Sequence, residues 1–276
     1  MRTRFSNAMW ATLATLALSS VSFAQIHPPS TQGKRSPEAE KAAANAPKPA
    51  NDAHDLSGVW WGRGNSILMG NPMPPFTPLG QKMVDANKPY GGPRAVSYIF
   101  TNDPINGCDP IGYPRIAYTN GRSFEFVQTP LKIVQIFEWT HGLREIWLDG
   151  RKIPDDVDPR WFGYAVGHWE GNTLVVDSAG YNDKTWLDGI GNPHDENMTL
   201  EERYSHPDAL TLQLSTTLTD PTVYTKPWVG AKPQEYKLQL PKGITELEEE
   251  YCVPSEENSF NKGVRDVNGQ YDPHAK

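Results

Sequence analysis

The feature that most constrains this fold is a succession of short β-type runs beginning at Arg122. SFEFVQTP (123–130), LKIVQIFEWT (131–140) and LREIWLDGR (143–151) follow one another with few residues between them. Neighbouring runs are therefore expected to pair as an antiparallel meander. In the second run Leu131, Ile133, Gln135, Phe137 and Trp139 share one face, and Lys132, Val134, Ile136 and Glu138 the other. Apolar residues on both faces indicate a wall buried on two sides, as in a barrel.

The same signal continues through residues 161–204. Phe162, Tyr164, Val166 and His168 alternate with Trp161, Gly163, Ala165, Gly167 and Trp169, and the turn Glu170-Gly171-Asn172 leads into TLVVD. The row Gly-Ala-Gly between two Trp rings predicts a shallow trough, filled by a neighbouring side chain or by a ligand. MTLEERYS and ALTLQLSTTL predict another hairpin, and QEYKLQL and ITELEEEYC further strands. Before Arg122 the reading is sparser. Val59 to Trp61 make a strand seed, Thr77 caps a short helix that runs to about Asn87, and VSYIF (96–100) reads as a strand. TNDPINGCDPIGYPR (101–115) is dense in turn signals and predicts a folded Ω-type loop tethered at Cys108. The fold class expected is all-β: a meander closing into a calycin- or lipocalin-like barrel, with one short helix and long Pro/Gly-rich loops.

The N-terminus sets the compartment. Arg2 and Arg4, an apolar run over Met9–Leu18, and Ser22 and Ala24 at the −3 and −1 positions form a signal peptide cut after Ala24. The apolar run is too short to span a bilayer, and the expected location is periplasmic or secreted. Residues 25–54 are rich in Pro, Ala, Lys and Glu and read as a disordered linker. Residues 55–256 read as one barrel domain, and 257–276 as a loose tail. The two cysteines, Cys108 and Cys252, most simply form one disulfide in an oxidising compartment, with a pair of buried free thiols as the alternative.

The 276-residue chain carries 26 basic and 33 acidic residues, a formal charge of −7. Without Arg2 and Arg4 the balance is 24 against 33, or −9. That sign argues against a nucleic-acid partner or an anionic membrane. No Gly-rich phosphate loop, GxSxG elbow or HExxH step is present, so no cofactor or metal is indicated.

Chemistry is densest in the loop YNDKTWLDGIGNPHDEN (181–197), with four carboxylates, one His and one Trp. His194 and Glu196, two apart, face one side of an extended segment and suit an acid/base pair or two metal ligands, although two ligands alone do not make a zinc site. Asp188 is a partner that orients His194, and Arg203, read as inward-pointing, pairs with Asp188 or Glu196 or stabilises negative charge. The alternative is a hydrogen-bonded structural His. The loop is expected to fold over a barrel mouth and bring Trp186, Asp188, His194 and Glu196 to one cavity. Trp139, His141, Trp161, Trp169, Trp186 and Tyr204 are the candidate ligand-contacting side chains, with Trp147 and Trp228 adding stacking surface. His168, alone on an apolar strand face, reads as a satisfied core residue.

The run GYAVGHWEGNTLVVDSAGYNDKTWLDGIGNPHDENMTLEERY, with VQIFEWTHGLREIWLDGR before it and DPTVYTKPW after it, resembles an uncharacterised family of bacterial secreted proteins. The likeness extends over about Asp55–Cys252. Family members usually carry Ser where Asp195 stands and Asp where Asn172 stands. The resemblance implies a secreted β-rich domain and no particular activity. Three functions stay open: a binder of a small organic ligand in an aromatic-lined pocket; a lyase, isomerase or hydrolase built on His194, Glu196, Asp188 and Arg203; and a structural envelope protein.

Overall fold

The computed structural model describes Lys41 and residues 52–62, 72–118, 122–266 and 268–269. The leader and nearly all of the linker expected from the sequence lie outside the described residues. Ten strands form one sheet: β1 (Gly58–Gly62), β2 (Ser123–Gln128), β3 (Lys132–Phe137), β4 (Leu143–Trp147), β5 (Tyr164–Glu170), β6 (Thr173–Ala179), β7 (Thr199–Asp208), β8 (Thr211–Thr219), β9 (Trp228–Val229) and β10 (Gln234–Leu238). Strands β1 to β8 pair in chain order, and β10 joins β1 to β8. The result is a closed barrel of nine strands, with β9 added beside the end of β8. Closure satisfies the backbone groups that an open sheet would leave along its edges.

The barrel is antiparallel except at one seam. Strands β4 and β5 run parallel and share only the pairs Ile146↔Ala165 and Trp147↔Val166. A parallel pair cannot be joined by a hairpin, so residues 148–163 cross from one end of the barrel to the other. This crossover interrupts the uniform meander expected from the sequence. The strand directions also segregate the connections. Tight turns at 129–131, 171–172 and 209–210 close one end. The long β1–β2 and β6–β7 connections and residues 220–227 gather at the other, here called the loop mouth.

The loop mouth is plugged. Every residue from Ile111 to Tyr118 is buried. Tyr118 donates its hydroxyl to Thr216 Oγ1 (2.7 Å), and Tyr236 donates to the Ala117 carbonyl (2.7 Å). Beneath the plug, Phe124 meets Tyr236 edge-on at 5.0 Å and Phe126 meets Tyr204 at 5.5 Å. These are the offset geometries that aromatic quadrupoles prefer. The trough at Gly167 is filled: a Cβ there would meet Ile146, Leu148 and Leu174 side chains at 3.0–3.3 Å.

Outside the barrel, helix α1 (Pro78–Ala86) begins where Thr77 Oγ1 accepts from the Gly80 amide at 3.0 Å. Helix α2 (Arg115–Tyr118) lies within the plug, and α3 (Pro254–Phe260) runs into a π-type turn over Asn261–Arg265. Among the described residues no helix is long and apolar enough to cross a membrane. Two strand expectations are corrected. Residues 96–100 hold a 3-10 turn at Tyr98–Phe100, with no buried side chain in that turn to anchor a strand in the sheet. Residues 244–252 form no strand; Glu250 makes an isolated bridge to Trp139, and the acidic run supplies no apolar face. Order also extends past Glu256. Asn261 is buried and the Arg265 guanidinium lies 3.7 Å over the Tyr98 ring, so the C-terminal segment docks as far as Asp266.

Cys108 and Cys252 are bonded, with Cα atoms 5.3 Å apart and a sequence separation of 144. The bridge fastens the C-terminal segment to the β1–β2 connection. Closing a loop of that length is worth about 5 kcal/mol in the chain-entropy model, and measured values fall at about 2–5 kcal/mol. The Cys108→Ser/Cys252→Ser protein is expected to lose about 2–5 kcal/mol in urea unfolding. Unchanged stability would show that the clasp carries no strain-free restraint on the unfolded chain.

Candidate functional site

The loop at 181–197 lies at the loop mouth, as its position between β6 and β7 requires. It is bound tightly to its surroundings. Asn87 Nδ2 donates to the Gly191 carbonyl (2.9 Å), Arg94 Nη2 to the Ile190 carbonyl (3.0 Å) and the Tyr224 hydroxyl to the Pro193 carbonyl (3.0 Å). Asp188, buried, accepts from the Ile190 and Asn192 amides and from Asn192 Nδ2 (2.6 Å). This is a carboxylate used to fold a turn. His194 is 1 % exposed. Its Nδ1–H donates to the Asp195 carbonyl (3.4 Å), which leaves Nε2 to accept from the Thr185 hydroxyl (2.8 Å). Trp186 is buried and Glu196 is exposed. The expected convergence of Trp186, Asp188, His194 and Glu196 in one cavity therefore does not occur: Asp188 and His194 are occupied by the loop's own folding, and Glu196 faces out.

Arg203 requires the plainest correction. It lies on the outer face of β7 and pairs with Glu170 and Glu201. Strand alternation decides this. Leu200, Glu202 and Tyr204 share the inner face, so the residue between Glu202 and Tyr204 must point out. His168 likewise stands outside, beside Glu170 at 3.4 Å, rather than in the core.

Glu202 is the inward carboxylate, fully buried, and Arg144 is its partner. The two form a bidentate pair, with Arg144 Nη1 at 3.1 Å from Glu202 Oε1 and Nη2 bonded to Oε2. Tyr113 from the plug and Tyr204 (2.8 Å) both donate to Glu202 Oε1, and their own hydroxyls are 3.0 Å apart. Arg144 also donates to Ser178 Oγ (3.3 Å) and Gln135 Oε1 (3.5 Å), and its guanidinium lies 3.8 Å over the Tyr113 ring. Burial first, and the Glu202 charge second, push the Tyr113 and Tyr204 phenols well up, so both remain donors. Burial acts to lower Arg144, but the Glu202 carboxylate outweighs it and holds the guanidinium above its ordinary range. Arg144 therefore stays charged in its buried position.

Arg144 also lines a cleft at the parallel seam. Below the pair Ile146↔Ala165 the ladder has no further rungs, so Leu143–Glu145 and Phe162–Tyr164 diverge. Gly163, at φ +66°, turns the chain there, and a Cβ on it would strike the Tyr181 ring at 2.6 Å. The divergence opens a cleft of about 340 Å³. Trp147, Trp161, Phe162 and Tyr164, all half-buried, form its walls, with Arg144 deep in it and Arg160 at its rim. Arg144 Nε–H is buried and has no acceptor among the described residues. Arg160 is exposed, lies 5.4 Å from the Tyr164 ring centre, and has no carboxylate at ion-pair distance among the described residues. The other charges nearby are matched: Glu145 by Lys132, and Arg151 by Asp149.

Of the aromatic candidates, Trp161 lines this cleft and Trp139 lines a second cavity of about 170 Å³ at the loop mouth. His141 stacks on Tyr251 at 4.9 Å, and Trp169 stacks on His54 at 4.3 Å. Tyr204 serves the Glu202 network, Trp228 is buried in the core, and Trp186 lies within the loop. Among the described residues no group of three or more His, Cys, Asp or Glu is placed to hold a metal ion. Comparison with protein-family models, with curated proteins and with solved structures found no match.

Burial pushes the His194 imidazole down to about 4 from an ordinary value of 6.5, and the Asp195 carbonyl only partly offsets this. The folded state thus binds its proton later than the unfolded state. The resulting stability is fully present above pH 6.5 and is lost as pH falls toward 4. A shift of that size corresponds to about 3 kcal/mol. Urea melts of the native protein are expected to lose about that much between pH 6.5 and pH 4, while the His194→Gln protein shows the smaller slope. Parallel pH profiles would contradict a neutral, sealed His194.

Proposed function

We propose that this protein is an exported binder of a small organic anion carrying a planar ring, held in the cleft at the parallel seam. The observation that carries the reading is the pairing of four aromatic walls with one cation, Arg160, that is unmatched among the described residues, on a cavity of about 340 Å³. That volume is in the range of pockets that enclose small ligands, and an apolar lining with few polar groups is their usual composition. A ring stacked on Trp161 or Phe162 would gain apolar burial and quadrupole attraction. An acidic substituent would meet the guanidinium of Arg160, whose fork suits a carboxylate. The disulfide fits a protein that works in an oxidising space, and it supports export through the leader read from the sequence.

The test is a thermal-shift screen of the mature protein against single-ring aromatic acids, sugars and metal ions, followed by calorimetric titration of any hit. An aromatic acid is expected to bind. Trp161→Ala and Arg160→Ala are each expected to weaken it about tenfold or more, the loss of roughly one charge-assisted hydrogen bond or one stacked ring. Trp186→Ala should lower the melting temperature and leave affinity unchanged. Binding unaffected by both cleft substitutions, or no acid among the hits, would overturn the reading.

A further inference from the structure

The cleft at the parallel seam has a polar strand edge as well as aromatic walls. Phe137 N–H donates to the Gly142 carbonyl (2.8 Å) and Leu148 N–H to the Leu131 carbonyl (2.9 Å), one at each end of the β3–β4 ladder. Both bonds are in step with the pairs Gln135↔Arg144 and Ile133↔Ile146. Bonded and non-bonded pairs alternate in an antiparallel ladder. Arg144 and Ile146 therefore turn their backbone groups toward β3, and Leu143, Glu145 and Trp147 turn theirs toward β5. Strand β5 meets that edge only at Ile146↔Ala165 and Trp147↔Val166. The next rung would stand between Leu143 and Glu145, and it is missing. No bond to the Leu143 carbonyl or to the Glu145 N–H is present among the described residues. Leu143 and Glu145 line the cleft on one side, and Phe162, Gly163 and Tyr164 on the other. An open strand edge is a template for an added strand. The cleft also exceeds one ring. Its volume is about 340 Å³, whereas a cavity of about 150 Å³ already takes benzene.

We infer that the cleft binds the C-terminus of an extended peptide whose last residue is aromatic. The inference rests on the reading of this cleft as a site for an anion with a planar ring, and it names the class of that anion. A C-terminal aromatic residue carries ring and carboxylate together. The ring lies against Trp161 or Phe162, and the carboxylate meets Arg160 at the rim. The residue before it takes the place of the missing rung. Its N–H donates to the Leu143 carbonyl, and its own carbonyl accepts from the Glu145 N–H. Such main-chain bonds give affinity without reading a side chain, so selectivity rests with the last residue. The exposed Leu143 side chain, at the same lip, offers an apolar contact to the segment that leads in.

The probes are N-acetylphenylalanine, N-acetyl-dialanyl-phenylalanine, and that tripeptide N-methylated on its second alanine. Each is titrated calorimetrically into the intact mature protein, and amide exchange of β4 is followed by NMR. In the free protein the Glu145 amide is expected to exchange at least about tenfold faster than those of Arg144 and Ile146, which are paired with β3. The tripeptide is expected to bind about tenfold tighter than N-acetylphenylalanine, the worth of two main-chain hydrogen bonds, and to slow the Glu145 exchange. N-methylation should remove most of that gain. Arg160→Ala should weaken N-acetylphenylalanine and the tripeptide alike, each by about tenfold. A tripeptide no tighter than N-acetylphenylalanine, an N-methylated peptide bound as tightly as its parent, or a Glu145 amide as protected as Arg144 in the free protein would overturn the inference. So would binding of other aromatic acids but of none of the three probes. Each of these results leaves the anion site standing, provided that binding of the acid still depends on Arg160. Failure of every aromatic acid to bind would overturn both.

Discussion

The structure depends on one buried ion pair, Arg144 with Glu202. Both side chains are almost wholly removed from water, at 1 % and 0 % exposure. Two ions in such a place cost several kcal/mol each in lost hydration, which only close geometry and further hydrogen bonds recover. Those conditions are met. Glu202 accepts from both ends of the guanidinium and from two phenols, and Arg144 reaches Ser178 and Gln135 as well. The pair therefore joins β3, β4, β6 and β7 with the plug residue Tyr113, across the loop-mouth half of the barrel. Apolar packing fills the remainder, but it has no comparable directionality. Through Tyr113 the ion pair ties the plug to the barrel wall, beside the bonds of Tyr118 to Thr216 and of Tyr236 to the Ala117 carbonyl.

The second constraint is topological. One parallel pairing in an otherwise antiparallel barrel forces a crossover, and a two-rung ladder leaves its neighbours unpaired. The wall opens at that point. Since Arg144 is the second residue of β4, the opening falls directly beside the buried network. The same seam carries Trp161 and Phe162 from the crossover to the lip of the cleft. Site and scaffold thus have a common origin in the register of β4 against β5. The long connections gathered at the loop mouth supply the other cavity, with the disulfide holding the C-terminal segment against it.

Much of this was legible in the residues. The period-two runs of 123–147 and 164–219 located seven of the strands, and the Thr77-Pro78 step located α1, because local alternation and capping are short-range signals. The disulfide was expected from two cysteines and the reading of the N-terminus as an export leader. The polar core was legible in principle: Gln135, Arg144 and Glu202 each stand on the apolar face of their strand, two residues from Ile133, Ile146 and Leu200 or Tyr204. Reading Arg203 as the inward charge set that alternation aside. The loop at 181–197 misled for another reason. Its Asp188 and His194 are needed to satisfy backbone and side-chain groups within a compact loop, and composition alone does not distinguish that use from catalysis. The cleft was illegible, because it arises from a parallel register between strands that a crossover separates, and no local pattern encodes it.

The most direct test is a double-mutant cycle on the central pair, read by urea unfolding. Arg144→Met and Glu202→Met are each expected to cost about 3–5 kcal/mol, since each leaves an unmatched buried charge. The protein carrying both substitutions should be destabilised by less than the sum of the two, with a coupling of about 2 kcal/mol or more. Phenols of Tyr113 and Tyr204 left without their acceptor would account for the residual loss. Losses that add in full would contradict the account, because they would show that Arg144 and Glu202 act independently and that the plug and the barrel wall are held by something else.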